Sequence, residues 1–276
     1  MLIAAAIQMT SSDQVEENLE QASLLIRQAV KQKASLISLP ENFPMMGKTD
    51  EARLTVAEQI GSGMIQDFLS HQASVNKIWL IGGTIPILSR LPGKVYAASL
   101  LYSPDGYCFA RYNKIHLFDV IADEESAESY MESETFAPGL EMVVANTHIG
   151  NIGLSVCYDL RFPELYRKMH QQQVEIISAP SAFTATTGKM HWELLLRSRA
   201  VENLSYVIAS NQEGRHANGR LTWGHSMIVD PWGKILDCVK QGVGIALAEI
   251  DLDKQKNIRK TFPVLTHRKL NYQLDD

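Results

Sequence analysis

The chain opens on Leu2-Ile3-Ala4-Ala5-Ala6-Ile7-Gln8-Met9, an apolar run without charge. A run of that length bounded by polar residues predicts a buried strand. Beyond it Val15, Leu19, Ala22, Leu25, Ile26 and Ala29 recur three and four residues apart. That spacing predicts an amphipathic helix, with Asp13 as its cap. Ser35 to Pro40 predicts a second strand, stopped by the proline. A helix is expected over Ala52–Ile60, broken by Gly61 and Gly63 before another over Met64–Val75. Three strands follow, Ile78–Ile87, Val95–Ser103 and Cys108–His116, the last two joined by the hairpin turn Ser103-Pro104-Asp105-Gly106.

From Ile115 to Ala145 the periodicity fades, and the acidic stretch from Asp123 to Glu134 predicts a surface excursion of the functional kind that long loops often are. The alternation then resumes. Asn151 to Val156 predicts a strand, Phe162–Gln173 a helix, Val174–Pro180 a strand, His191–Asn203 a helix and Ser205–Gln212 a strand. A hairpin around Asp230-Pro231-Trp232-Gly233, a strand over Gly244–Ile250 and a helix from Asp251 complete the chain. Strand–helix alternation early and late, each time followed by a hairpin, predicts an α/β layered protein with two similar halves. No Ser/Gly-rich linker or short repeat divides it, so one domain over 1–270 and a tail over 271–276 are expected.

Composition narrows the function. Of 276 residues 45% are hydrophobic, enough for a full core, and 26 basic against 31 acidic residues leave −5 with no basic stripe for nucleic acid. Cys108, Cys157 and Cys238 are sparse and far apart, which argues against a disulfide framework and for a reducing, cytoplasmic compartment. The first residues read as a strand and not a secretory leader, and no segment is long enough to span a bilayer. Gly47-Lys48-Thr49 imitates a phosphate loop, but Asn42 stands where its first glycine belongs, and Gly61-Ser62-Gly63 follows a helical pattern and no strand. Both weaken a nucleotide-binding reading. The eight histidines lack metal-ligand spacing, so no metal or other cofactor is implied, and His116 and His225 read as structural hydrogen-bonding groups.

Three residues share one kind of place. Cys157 ends the strand Ile152–Val156, and Tyr158-Asp159-Leu160-Arg161 leads from it into a helix with Pro163 in its first turn. This resembles a nucleophile elbow, with a nearby helix N-terminus favouring thiolate. Glu41 lies just past the second strand and Lys114 at the end of Cys108–Asn113. Side chains beyond the carboxyl ends of strands converge on a cleft. Cys108 and Cys238 lie inside strand patterns and read as ordinary small apolar residues.

SLPENF, YNKIHLFD and GLSVCYDLRFPEL, in that order, resemble the three catalytic blocks of the nitrilase (carbon–nitrogen hydrolase) superfamily. ESETFAPG, APSAFT, HWELLLRSRAVEN and GHSMIVDPWG extend the resemblance to about Arg268. It implies a four-layer αββα sandwich and a Glu41–Lys114–Cys157 triad. It implies Glu132 as a second glutamate, with Glu134 close enough to compete. It implies a homodimer or higher homo-oligomer through helices flanking the site. Cys157 is then expected to attack an amide while Glu41 moves protons. Lys114 and the Tyr158 backbone N–H would face the oxyanion, and a thioester would be hydrolysed to acid plus ammonia. Cys-Tyr-Asp, where nitrile-cleaving members typically show Cys-Trp-Glu, favours amides. Within the amidase branches, Ser181, Phe183 and the loop with Arg215 and Arg220 resemble enzymes acting on deaminated glutathione. An ω-amidase acting on 2-oxoglutaramate is the alternative. Arg161, Arg215 and Arg220 suit a small carboxylated amide substrate. A catalytically silent binding scaffold of the same fold is the reading from another class.

Overall fold

The computed structural model describes residues 2–49, 51–123 and 128–269, and only the backbone of 121–123 and 128. The expected tail and the centre of the acidic stretch lie outside the described residues. The first half runs β1 (Leu2–Gln8), α1 (Val15–Lys31), β2 (Leu36–Ser38), α2 (Ala52–Thr55), α3 (Met64–Asn76), β3 (Trp79–Ile81), β4 (Ile85–Leu88), β5 (Val95–Tyr102) and β6 (Cys108–Asn113). A hairpin of β7 (Asp119–Asp123) and β8 (Glu128–Met131) follows. The second half runs β9 (Val143–Thr147), β10 (Gly150–Leu154), α4 (Pro163–Gln171), β11 (Ile176–Ser178), α5 (Ala185–Asn203) and β12 (Tyr206–Ala209). A small hairpin, β13 (Glu213–Arg215) and β14 (Leu221–Trp223), precedes β15 (Ser226–Val229), β16 (Ile235–Val239), β17 (Gly244–Ile250) and α6 (Leu252–Thr261).

Two sheets repeat one plan. In the first, β1, β2 and β3 are parallel, with β17 antiparallel to β1 and β5 antiparallel to β3. In the second, β10, β11 and β12 are parallel, with β9 antiparallel to β10 and β15 antiparallel to β12. Alternation along each strand separates two faces. Ala4, Ala6, Leu36, Ile81 and Leu101 of the first sheet pack in one cluster with Leu154, Ile177 and Ile208 of the second. Their neighbours Ala5, Ile7, Ile37, Leu80 and Leu100 pack with Leu25 and Ile26 of α1 and Leu69 of α3. Leu165 and Met169 of α4 and Trp192 and Leu196 of α5 cover the second sheet. The layers are therefore helix, sheet, sheet, helix.

The halves also share a short sequence likeness that the expectation of no repeat overlooked. Ser38-Leu39-Pro40-Glu41-Asn42-Phe43 leaves β2, and Ser178-Ala179-Pro180-Ser181-Ala182-Phe183 leaves β11. Leu39 N–H donates to Ile81 O and Ala179 N–H to Ile208 O, each at 2.9 Å.

Local expectations fail where a side chain has other work. Asp13 does not cap α1; it pairs with Lys48 at 3.4 Å, and Gln14 occupies the cap without a side-chain bond. The helix expected over 52–60 is the single turn α2. The chain then extends so that Glu58 N–H meets Pro86 O and its carboxylate takes the N–H groups of Ile65 and Gln66, which open α3. The stretch Ile78–Ile87 is two strands, parted at Gly82-Gly83. At Gly83 (φ +54°) a Cβ would stand 2.0 Å from Pro40 O, so only glycine lets the two segments meet there.

Candidate active site

Cys157 follows the end of β10 by three residues, and its N–H donates to Pro180 O at 2.9 Å. Its φ is +47°, in the left-handed region, where a residue with a Cβ is strained. A short 3₁₀ turn, Cys157–Arg161, carries the chain to α4. The elbow expected from sequence is present, but its electrostatics differ. α4 begins at Pro163, beyond that turn, and burial together with the Glu41 charge pushes the Cys157 thiol well up, against the opposing pull of Lys114. That direction favours the thiol over the thiolate.

Glu41 leaves β2 and Lys114 leaves β6, both buried. Lys114 Nζ donates to Glu41 Oε1 at 2.8 Å and to both Glu132 oxygens at 2.9 and 2.8 Å. Of the two candidate glutamates, Glu132 is the one that meets Lys114, while Glu134 is exposed. Glu132 Oε2 also accepts Phe118 N–H at 2.6 Å, and Glu41 Oε2 accepts Ala182 N–H at 2.8 Å. Burial acts to raise the Glu41 carboxyl, but Lys114 outweighs it and holds it below the usual range. Burial acts to lower Lys114, but Glu132 and Glu41 outweigh it and hold its charge far above neutrality. Glu41 also shares a hydrogen bond with the Cys157 thiol. The Lys114 ammonium lies between the Glu41 and Glu132 carboxylates, with the Cys157 sulfur beside Glu41.

These four residues line one cleft. Tyr158, Arg161, Phe183 and Arg220 line it too. The Arg161 guanidinium lies 5.8 Å from the Tyr158 ring centre and 5.4 Å from that of Phe183. Arg220 lies 4.8 Å over Tyr130 and donates to Ala182 O, while its buried Nε has no hydrogen-bond partner among the described residues. Two expected residues are not brought in. Ser181 is buried outside the cleft wall and donates to Ala179 O, because its strand exit turns the hydroxyl back on the backbone. Arg215 is exposed at the end of β13, donates to Gly219 O and does not line the cleft. Sequence reasoning missed Arg53, Tyr130, Phe136 and Thr187, which are also part of the wall. Tyr130 was the legible one, an aromatic residue inside an otherwise acidic stretch. Among the described residues no group of three or more His, Cys, Asp and Glu could hold a metal ion. Nor is any described helix long and apolar enough to cross a membrane.

Residues 3–260 match the family profile described as carbon-nitrogen hydrolase. The deaminated glutathione amidase of Synechocystis sp. is 44% identical over 96% of this chain and 97% of its own. Among solved structures, the Caenorhabditis elegans NitFhit protein superposes with a TM-score of 0.87 at 36% identity over 97% of this chain. The chain spans 65% of that protein's length. Saccharomyces cerevisiae Nit3, a member of branch 10 of the nitrilase superfamily, superposes with a TM-score of 0.85 at 33% identity, over 95% of this chain and 94% of its own. The αββα layers, the elbow cysteine and the matched length agree, and the chain belongs to the carbon–nitrogen hydrolase family, as a hydrolase acting on amides.

Proposed function

We propose that this chain is a cysteine-dependent amidase whose substrate is deaminated glutathione. The convergence of Cys157, Glu41 and Lys114 in one buried cleft carries the reading. Glu41 takes the thiol proton as Sγ bonds to the amide carbon, since the thiol does not ionise by itself. Lys114 and the Tyr158 N–H stabilise the oxyanion. Glu41 returns the proton to the nitrogen as the C–N bond breaks, leaving a thioester on Cys157. Water then attacks, Glu41 accepts its proton, and the acid departs as the proton returns to sulfur. Glu132 anchors Lys114 throughout with both oxygens. Deaminated glutathione contains only secondary amides, so from it the leaving group is an amine; ammonia is the product only from a primary carboxamide such as 2-oxoglutaramate.

The relatives' name supports the substrate, and Arg220, with its unsatisfied buried Nε, supports recognition of a carboxylate. A second copy is placed against α5, whose outer face exposes Met190, Leu194 and Val201; α4 exposes no large apolar side chain. The unpaired thiols fit a cytoplasmic setting. The deciding experiment is turnover on deaminated glutathione, 2-oxoglutaramate and neutral amides of matched length. Preference for the first supports the proposal, preference for the second makes the chain an ω-amidase, and no turnover on any leaves a silent scaffold.

A further inference from the structure

Asp159 stands two residues after Cys157 and is fully buried, yet it touches none of the reacting groups. Its carboxylate accepts four hydrogen bonds. Oδ2 takes Val156 N–H at 2.8 Å and the Tyr112 hydroxyl at 2.7 Å. Oδ1 takes the backbone N–H of His116 at 3.1 Å and meets its ring Nδ1 at 2.7 Å. An ionised carboxylate only accepts, so the ring nitrogen that faces it carries the proton. The imidazole is held in that orientation by stacking on Phe162, 3.7 Å between centres and 6° from parallel.

The four donors come from two places. Val156 immediately precedes the nucleophile. Tyr112 and His116 flank Lys114, two residues to either side. Cys157 is in a left-handed backbone, and Lys114 lies just beyond the last residue of β6, its N–H still donating to Ala97 O at 3.0 Å. Strained backbone at a site persists where its surroundings over-determine it.

We infer that Asp159 is a positioning residue for the reaction proposed above, with His116 as its orienting donor, one carboxylate fixing Cys157 Sγ relative to Lys114 Nζ. The inference rests on the amidase reading, which assigns those two atoms to the chemistry. A misplacement of about 1 Å costs about 10²-fold in rate. A merely structural aspartate would instead lower the amount of folded protein and leave each folded molecule fully active.

The test compares Asp159→Asn, His116→Phe and His116→Asn. Asp159→Asn presents an amide NH₂ to donors that need an acceptor. His116→Phe keeps a ring on Phe162 and removes the Nδ1 donor, whereas the Asn amide at 116 restores a donor near the Nδ1 position. Each protein is measured for kcat and KM on deaminated glutathione, with active sites counted by exhaustive alkylation and peptide mass mapping of Cys157, which separates it from the free Cys108 and Cys238. Asp159→Asn and His116→Phe are expected to lose about 10²-fold in kcat per alkylatable Cys157, with KM within about threefold, and His116→Asn to recover to within about fivefold of the parent. Parental kcat per site in His116→Phe, or equal losses in both His116 variants, overturns the inference. Should Asp159→Asn not fold, the His116 pair decides alone, because that side chain is 27% exposed. Turnover surviving in Cys157→Ala would sink the amidase reading instead, and is a separate result.

Discussion

At the scale of single residues, the site stores its nucleophile as an acid. With burial and Glu41 both opposing ionisation, Cys157 should react with iodoacetamide at neutral pH more slowly than a free small thiol. Cys157→Ala and Cys157→Ser should abolish turnover in a folded protein, while Cys108→Ser and Cys238→Ser keep most of it, by steady-state assay beside circular dichroism. Glu41→Gln and Lys114→Met should each lower kcat by roughly 10²–10³-fold with smaller changes in KM. Near-parental turnover in Lys114→Met would remove that lysine from the oxyanion. Glu41 is held below its unfolded value, so its contribution to stability is present above the ordinary carboxylate range and drains as pH falls through the lowered value. The acid limb of kcat/KM should accordingly lie below the ordinary carboxylate range. The triad was legible because strand ends put all three residues in comparable places. The state of the thiol was not, because it depends on Glu41, which is 116 positions away in the chain and adjacent only after folding.

At the scale of elements, the β3–β4 junction fixes the general base. Gly83 touches Pro40, one residue before Glu41, and Asn42 N–H donates to Thr84 Oγ1 at 2.8 Å. Gly83→Ala should cost about 2–4 kcal/mol in urea unfolding, from a left-handed alanine and a clash with backbone. It should also depress kcat in the molecules that fold; unchanged stability would mean that the junction yields. The β13–β14 hairpin separates two arginines that looked equivalent in sequence. Arg220→Gln should weaken carboxylated amides by about one to two decades more than neutral ones, and Arg215→Gln should change neither. Equal loss on both amide classes in Arg220→Gln would indicate a damaged cleft in place of a lost carboxylate contact. The hairpins β7–β8 and β13–β14 escaped prediction because their short strands carry little alternation of their own. Three to five residues per strand leave too few positions for a period of two to show.

At the scale of the molecule, the plan of two similar halves was readable because the strand–helix alternation occurs twice. Pairing order was not, since β17 joins β1 across nearly the whole chain. The exposed apolar stripe on α5 belongs to this scale as well. If the proposed second copy packs on α5, Leu194→Lys should lower the mass in size-exclusion chromatography with light scattering, and an unaltered mass would remove α5 as that contact. The bond from Ala182 N–H to Glu41 Oε2 has a consequence for how the protein fails. Glu41 and Lys114 descend from the first sheet, while Cys157 and Ala182 descend from the second. A chain with either sheet formed alone holds no working centre. Turnover is thus a readout of the closed sandwich: in a mixture of native and half-folded species, every unit of activity counts a molecule whose two sheets have met.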